Sequence, residues 1–308
     1  MVLEPKTALP RVVALDLDGT TLDARHRLRD ETVAAIRDVR GAGCRVVLAT
    51  GRPTHDVQPI IDRIGLQLDC VLHNGASAAT LAPHRPPVQL FLERLGAERA
   101  GAALEVARAC GGAASVVCAN RTVGVATTDE QRAQLAGFDA RSGSTQPVVA
   151  SAGALVLSDA VKVLALADDP AAAAEKARAV LDGLDSGLVV VEAEIHVELV
   201  AAGTNKATAL RRLVGAETLA TATVAFGDSH NDVDMLAAAF KGVAVRNAVG
   251  AAKAAADVVS EWTNDQDAVA NELRLLLPPE APWVREASAF AAAAVVQAVD
   301  ATATAPLR

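Results

Sequence analysis

The feature that most constrains the fold is a regular alternation of short apolar strands and amphipathic helices at the start of the chain. Val12–Leu15 and Arg45–Ala49 are short runs rich in β-branched residues, which is typical of buried strands. Between them, a predicted helix begins near Asp30 and carries its apolar residues on one side. A second helix and a third strand follow, and that strand ends at Asn74-Gly75. Strands that alternate with helices form parallel β-α-β units, so the sequence predicts an α/β fold with a helix-covered parallel sheet.

A change of pattern between about residues 78 and 201 indicates a second unit. Val161–Ala167 and two later apolar runs are typical of strands there, and Ala97–Cys110 and Pro170–Leu184 are typical of helices. After Gly203 the first pattern returns. We therefore predict a discontinuous core over residues 1–80 and 200–278, an inserted α/β unit over 81–199, and a C-terminal helical tail over 279–308.

Charge and composition exclude some classes of partner. The chain has 308 residues, a formal net charge of −8, 2% aromatic residues and no tyrosine. An acidic surface binds polyanions poorly, and few aromatic rings are present for base stacking, so nucleic acid is not an expected partner. A small anion can still bind in a locally positive site, especially beside a divalent cation.

The cysteines and the lengths of the apolar runs predict the compartment. Cys44, Cys70, Cys110 and Cys118 show no C-x-x-C spacing, which favours buried reduced thiols over a zinc site. No apolar run reaches the roughly 18–20 residues that span a membrane, and the N-terminus has no apolar segment of signal-peptide length. We expect a cytoplasmic protein without membrane contact, either a monomer or a homodimer.

Polar residues follow four of the predicted strands at the point where each strand ends. They are Asp16 and Asp18, Thr50 with Gly51 and Arg52, Asn74 with Gly75, and Asp228 with Asn231 and Asp232. Open α/β sheets bind ligands beyond the carboxyl ends of their strands. These groups are therefore expected to meet in one crevice, although they lie far apart in the sequence.

The pair Asp16 and Asp18 indicates a cation. Residues two apart in an extended strand share one face, and two carboxylates so close repel each other unless a cation lies between them. Mg²⁺ prefers oxygen ligands and commonly takes one or two carboxylates together with water and substrate phosphate. With Asp228 as a third carboxylate, the residues predict a Mg²⁺ site in which Asp18 is a ligand through its side chain.

Carboxylates beside Mg²⁺ suit phosphoryl transfer. One can attack phosphorus to form an aspartyl-phosphate, and the other can protonate the leaving oxygen and later deprotonate the attacking water. The residues alone do not decide whether Asp16 or Asp18 attacks. The candidate donors to the phosphoryl oxygens are Thr50, the backbone N–H groups around Gly51, Lys206 and Asn231.

Four motifs resemble those of a known family. The stretches "DLDGTTL", "LATGR", "TNKATAL" and "GDSHNDVDML", in this order, are similar to the four motifs of the haloacid dehalogenase superfamily. "NGA" and "VAVRNAV" are similar to its Cof-type branch, whose members carry a large α/β cap between the second and third motifs. The resemblance implies a Mg²⁺-dependent phosphatase with a Rossmann-like parallel-sheet core and an inserted α/β cap domain.

The same resemblance implies a role for each motif residue. Asp16 would be the nucleophile and Asp18 the general acid/base. Asp16, the backbone carbonyl of Asp18, and Asp228 would hold Mg²⁺. Thr50, Gly51, Lys206 and Asn231 would bind the phosphoryl group, and Asp232 would orient Lys206 or a metal-bound water.

The expected function is hydrolysis of a small phosphorylated metabolite, a sugar phosphate or a phosphorylated cofactor. One alternative is a phosphotransferase or phosphomutase on the same core, which only its products would distinguish. A second is a phosphoryl-accepting signalling module, against which Asp18 and the large insertion argue. A binding protein without activity is disfavoured because all four motifs are intact.

Overall fold

A computed structural model describes residues 9–119, 121–142, 145–151, 153, 155–193 and 195–277. The predicted helical tail over 279–308 lies outside the described residues. The strands, in chain order, are β1 Val12–Leu15, β2 Arg45–Ala49, β3 Leu68–Leu72, β4 Ser77–Leu81, β5 Val88–Leu92, β6 Ala114–Cys118, β7 Thr122–Val125, β8 Val148–Val149, β9 Ala160–Ala165, β10 Leu188–Glu192, β11 Val197–Ala201, β12 Thr223–Gly227, β13 Lys241–Ala244 and β14 Val258–Val259.

The α-helices of the described residues begin and end as follows. They are α1 Asp30–Gly41, α2 Thr54–Ile64, α3 Gly96–Ala109, α4 Asp129–Ser142, α5 Pro170–Leu181, α6 Lys206–Val214, α7 Ala216–Ala222, α8 Val233–Ala238, α9 Gly250–Ala255 and α10 Ala268–Leu276. None of these described helices combines the length and the apolar character needed to cross a membrane.

The first sheet has eight strands in the order β14-β13-β12-β1-β2-β3-β4-β5. The strands from β14 to β3 pair in parallel, whereas β4 and β5 are added as antiparallel strands. The predicted parallel sheet is therefore confirmed, with an antiparallel extension at one edge.

Helices cover both faces of this sheet. Val13 and Leu15 of β1 pack in one apolar cluster with residues of α1, α2 and α10. Val12 and Ala14 pack in a second cluster with residues of α6, α7, α8 and α9. Because successive strand residues point to opposite faces, the continuous apolar run of β1 is what a strand between two helical layers requires.

The second sheet lies between β5 and β12 in the sequence. Its strands have the order β10-β11-β9-β6-β7-β8, and they pair antiparallel except for β7 with β8. Helices α3 and α5 pack on it through a separate apolar cluster. The α/β fold with an inserted second α/β unit is thus confirmed.

The domain bounds at residues 80/81 and 199/200 stay predictions. Strand β5, Val88–Leu92, pairs with β4 of the first sheet although it lies beyond residue 80.

Candidate active site

The crevice lies where the order of the strands reverses in the first sheet. Strand β1 is flanked by β2 on one side and by β12 on the other. Asp16 follows β1, Thr50 follows β2, and Asp228 follows β12. The sheet therefore grows away from β1 on both sides, as β2 and β3 on one side and as β12, β13 and β14 on the other. Ligands of open α/β sheets bind at such a point. The loop after β3 reaches the same point, since the backbone N–H of Asn74 donates to the backbone carbonyl of Thr50 at 3.0 Å.

Three carboxylates form a cluster in this crevice. Oxygen atoms of Asp16, Asp228 and Asp232 lie within 4.8 Å of one another. Burial, followed by the charge of Asp232, raises the pKa of Asp16 well above its usual range, although Lys206 opposes the change. Burial and Asp232 also raise the pKa of Asp228 to about 6. The cluster thus carries an excess of negative charge that a cation would relieve.

Lys206 is the cation that the chain itself supplies. Its Nζ donates to Asp16 Oδ1 and to Asp232 Oδ1, both at 2.6 Å, and the side chain is fully buried. Lys206 is the first residue of α6, and the side chain of Asn205 caps this helix by accepting from the backbone N–H of Thr208 at 2.7 Å. The Asn205 N-cap therefore fixes the start of α6 and with it the backbone position of Lys206.

Asp232 holds Lys206 rather than completing an open metal site. Its Oδ2 accepts from the backbone N–H groups of Asp228 and Ser229, both at 3.0 Å, while Oδ1 accepts from Lys206. Both oxygens are thus occupied by donors of the chain. The role of Asp232 in orienting Lys206 stays a prediction.

The remaining oxygens fit a divalent cation. Asp16 Oδ2 is buried and has no hydrogen-bond partner among the described residues. Asp228 lies beside it, held by Thr20, whose Oγ1 donates to Asp228 Oδ1 at 2.9 Å. Gly19 permits this approach, because a Cβ there would lie 2.3 Å from Asp228 Oδ2. Buried carboxylate oxygens with an unused lone pair are the ligands that Mg²⁺ prefers.

Asp18 differs from the expectation that its carboxylate shares a face with Asp16. The strand ends at Leu15, and Leu17–Thr21 forms a tight turn in which Gly19 has a φ of +76°. The two-residue periodicity of a strand is therefore lost at Asp16, and the two side chains diverge. Ligation of a metal by the Asp18 side chain does not fit this geometry, whereas ligation by its backbone carbonyl stays a prediction.

The Asp18 carboxylate pairs with Arg52 instead. Arg52 Nε donates to Oδ2 at 2.7 Å and its terminal nitrogen donates to Oδ1 at 2.5 Å, while His26 Nδ1 lies 3.0 Å from Oδ1. Partial burial raises the pKa of Asp18, but the hydrogen bonds and charge of Arg52, with His26, outweigh it and lower the pKa overall. Asp18 is thus ionised in this arrangement.

The predicted phosphate-binding residues surround the same crevice. Thr50 is buried, and its hydroxyl accepts from the backbone N–H of Arg52 at 3.1 Å. Gly51 leaves space for Asn74, whose amide atoms lie 3.1 Å from where a Cβ would be. Asn231 Nδ2 donates to Asn74 Oδ1 at 2.9 Å. The structure therefore brings Thr50, Gly51 and Asn231 together around Asn74, and Lys206 lies beside them on Asp16.

Two charged residues of the second sheet reach this crevice and were not predicted from the sequence. Lys162 of β9 donates to Glu198 Oε1 at 2.5 Å and to the Gly51 carbonyl at 3.2 Å. Glu198 of β11 accepts from Asn74 Nδ2 at 2.7 Å. The sequence does contain a signal for this pair, a charged residue inside an apolar strand in "VKVLALA" and in "HVELV". Such a residue is rarely buried without a partner of opposite charge.

Comparison with known proteins identifies the family. The haloacid dehalogenase-like hydrolase family matches residues 13–273. Phosphatase YwpJ of Bacillus subtilis is 30% identical over 296 residues, which cover 87% of this chain and 100% of that protein. The pyridoxal phosphate phosphatase YbhA of Escherichia coli is 29% identical over 269 residues, covering 81% of this chain and 92% of that protein.

Solved structures with a similar fold agree with this family assignment. A haloacid dehalogenase-like hydrolase from B. subtilis is 27% identical with a TM-score of 0.72, covering 87% of this chain and 100% of that one. A phosphatase of the same superfamily from Bacteroides thetaiotaomicron is 24% identical with a TM-score of 0.74, covering 89% and 98%, which bears on the fold alone.

The chain belongs to the haloacid dehalogenase-like hydrolases. The resemblance stated from the four motifs and the Rossmann-like α/β fold are therefore confirmed. The prediction of an enzyme that hydrolyses phosphoric monoesters is confirmed as well, because relatives aligned over most of both chains are named phosphatases.

Proposed function

We propose that the chain is a Mg²⁺-dependent phosphatase that hydrolyses a small phosphomonoester through an aspartyl-phosphate on Asp16. One observation carries the proposal. Asp16 is buried beside Asp228, one of its oxygens accepts from Lys206 at 2.6 Å, and the other has no hydrogen-bond partner among the described residues. A carboxylate oriented by a fixed cation, with a free oxygen, suits nucleophilic attack on phosphorus.

Asp16, Asp228 and the backbone carbonyl of Asp18 would hold the Mg²⁺. The ion, when bound, supplies positive charge that lets an anionic nucleophile approach an anionic phosphoryl group. The excess charge of the carboxylate cluster supports this assignment, and phosphatases of this family generally use a divalent metal.

The residues of the chain perform two displacements. In the first, Asp16 attacks phosphorus, the bond from phosphorus to the ester oxygen breaks, and Asp18 gives that oxygen a proton. In the second, water attacks the phosphorus of the aspartyl-phosphate and gives a proton to Asp18, and the bond to Asp16 breaks to release inorganic phosphate. Thr50, the backbone around Gly51, Lys206 and Asn231 donate to the phosphoryl oxygens and stabilise their charge.

Arg52 determines when Asp18 can act. Its two hydrogen bonds to Asp18 favour the carboxylate, which is the form that accepts a proton from water. A proton donor is needed in the first displacement, so Asp18 must leave Arg52 before a poor leaving group departs. This ion pair therefore favours the second displacement over the first.

The substrate is proposed as a sugar phosphate or a phosphorylated cofactor. The E. coli relative is named for pyridoxal phosphate, a phosphorylated cofactor, which supports including that compound in a substrate panel.

A cytoplasmic location is proposed as well. The buried thiols of Cys44 and Cys70, which are free and have a raised pKa because of burial, suit a reducing compartment.

The test is turnover of p-nitrophenyl phosphate by the wild type, by Asp16→Asn and by the control Asp234→Asn. Asp234 is exposed and lies near the cluster, where it accepts from Asn205. We expect Asp16→Asn to retain less than about 0.1% of wild-type kcat, the control to stay active, and EDTA to abolish wild-type turnover until Mg²⁺ is restored. Substantial activity in Asp16→Asn would rule out this nucleophile. Counting phosphate release against p-nitrophenol release separates hydrolysis from transfer to an acceptor.

A further inference from the structure

The second sheet contributes a buried ion pair that contacts residues of the crevice. Lys162 and Glu198 lie on the neighbouring strands β9 and β11, and both side chains are almost completely buried. Removing two charges from water is costly, and their attraction compensates only when further hydrogen bonds satisfy both groups. The hydrogen-bond partners of Lys162 and Glu198 therefore show which parts of the chain the pair holds in place.

Two of those partners belong to loops of the first sheet. Glu198 Oε1 accepts from Lys162 and lies 3.2 Å from His196 Nε2, both in the inserted unit. Glu198 Oε2, in contrast, accepts from Asn74 Nδ2 at 2.7 Å, and Lys162 also donates to the Gly51 carbonyl at 3.2 Å. The ion pair thus contacts the two loops that follow β2 and β3.

The chemistry of these groups gives the hydrogen bonds a direction. A carboxylate only accepts, so Asn74 must turn its Nδ2 toward Glu198. Its Oδ1 then faces Asn231, and because a carbonyl oxygen also only accepts, Asn231 must turn its Nδ2 toward Asn74. One N–H of Asn231 Nδ2 donates to Asn74, and the second remains for another acceptor.

We infer that Glu198 is a positioning residue of the phosphate site, which sets through Asn74 the amide orientation of Asn231. The inference rests on the proposed function, because that function makes Asn231 a donor to the phosphoryl group. The opposite amide orientation would turn a carbonyl oxygen toward the phosphate and repel it. Lys162 balances the charge of Glu198 and ties it to the Gly51 loop, so the inserted unit completes the phosphate site of the core.

A simpler account is that the ion pair only holds the two sheets together. The two accounts differ in a matched pair of variants, Lys162→Met/Glu198→Met and Lys162→Met/Glu198→Gln. Both lack the ion pair and both charges, so neither leaves an unpaired buried charge. Residue 198 has nearly the same size in both variants, but glutamine keeps an oxygen that can accept from Asn74, whereas methionine does not.

The measurements are kcat and KM for p-nitrophenyl phosphate, and the Kd of inorganic phosphate by titration calorimetry in the presence of Mg²⁺. We expect the methionine variant to lose about 10- to 100-fold in kcat/KM, mostly through KM, with a parallel rise in the Kd of phosphate. The glutamine variant should recover about 10-fold in both quantities relative to the methionine variant. In a background that also carries Asn74→Gly, the difference between the two variants should vanish. Glycine suits this position, where φ is +56°.

Equal kcat/KM and equal phosphate affinity in the two variants would overturn the inference. A glutamine–methionine difference that persists with Asn74→Gly would also overturn it, because Asn74 would then not be the connection. Failure of the proposed function looks different. In that case Asp16→Asn keeps wild-type turnover of p-nitrophenyl phosphate, or EDTA leaves wild-type turnover unchanged, and the difference in the Kd of inorganic phosphate still tests the inference.

Discussion

Replacing Lys206 with methionine tests the electrostatics of the carboxylate cluster. The side chain is fully buried, and its ammonium group donates to Asp16 and Asp232 at 2.6 Å each. Methionine keeps the length of the side chain but removes the charge, so the two carboxylates lose their shared partner and face each other and Asp228. Breaking a buried ion pair in this way costs about 3–5 kcal/mol of unfolding free energy. At about 2 °C per kcal/mol for a chain of this size, Tm should fall by about 6–10 °C.

The assay is thermal unfolding by circular dichroism at neutral pH in EDTA, with the exposed Lys176→Met of α5 as the control. The control should change the unfolding free energy by less than about 0.5 kcal/mol. If the penalty arises from unpaired carboxylates, adding Asp232→Asn to Lys206→Met should restore about 0.5–3 kcal/mol, since one of the repelling charges is gone. A Lys206→Met protein that melts within about 2 °C of the wild type would refute this reasoning. So would an Asp232→Asn change that simply adds its own destabilisation to that of Lys206→Met.

Two further predictions concern backbone geometry and pH. Gly19→Ala should lower kcat/KM for p-nitrophenyl phosphate by about 100-fold or more. The φ of Gly19 is +76°, and the new Cβ would lie 2.3 Å from Asp228 Oδ2, so the carboxylate must move. The control is Gly101→Ala, because no atom lies within 4 Å of a Cβ placed at Gly101. His73 is held neutral, because burial, and then the charge of Lys162, lowers its pKa to about 3. In the unfolded chain, His73 therefore binds a proton near pH 6.5, whereas in the folded chain it stays neutral until about pH 3. The free energy of unfolding therefore falls as the pH drops from about 6.5 toward 3, by up to about 1.4 kcal/mol per pH unit. His73→Asn, which suits the left-handed φ of +52°, should flatten that slope in urea unfolding experiments, and an unchanged slope would contradict the assignment.

The sequence predicts the first sheet well because its signals are local. Four apolar residues in β1 and five residues in β2 carry the strand pattern, and the topology that follows from alternation with helices brings their carboxyl ends together. The convergence of Asp16, Thr50 and Asp228 could therefore be predicted although the first and the last lie 212 positions apart in the chain.

The misplacement of Asp18 has a local cause. The strand ends at Leu15, three residues before Asp18, and the chain turns directly after Asp16. Strand periodicity says nothing about a tight turn, whose dihedral angles depend on Gly19 and on the hydrogen bonds around it.

The connection between the two sheets could not be predicted for a different reason. Asn74 and Glu198 lie 124 positions apart and belong to different sheets. Their contact depends on how the inserted unit packs on the core, and neither hydrophobic periodicity nor turn residues report that packing. A charged residue within an apolar strand indicates only that some partner exists.

The most direct test of the account is to look for the phosphoryl group on Asp16. In Asp18→Asn, p-nitrophenolate can still leave without a proton, but the water that releases phosphate from Asp16 has lost its base. The phosphorylated enzyme should therefore accumulate after mixing with p-nitrophenyl phosphate and Mg²⁺. Acid quenching followed by peptide mass spectrometry should place one phosphoryl group on the peptide that contains Asp16, and Asp16→Asn/Asp18→Asn should carry none. Release of p-nitrophenol by Asp18→Asn without any phosphoryl group on Asp16 would contradict the account.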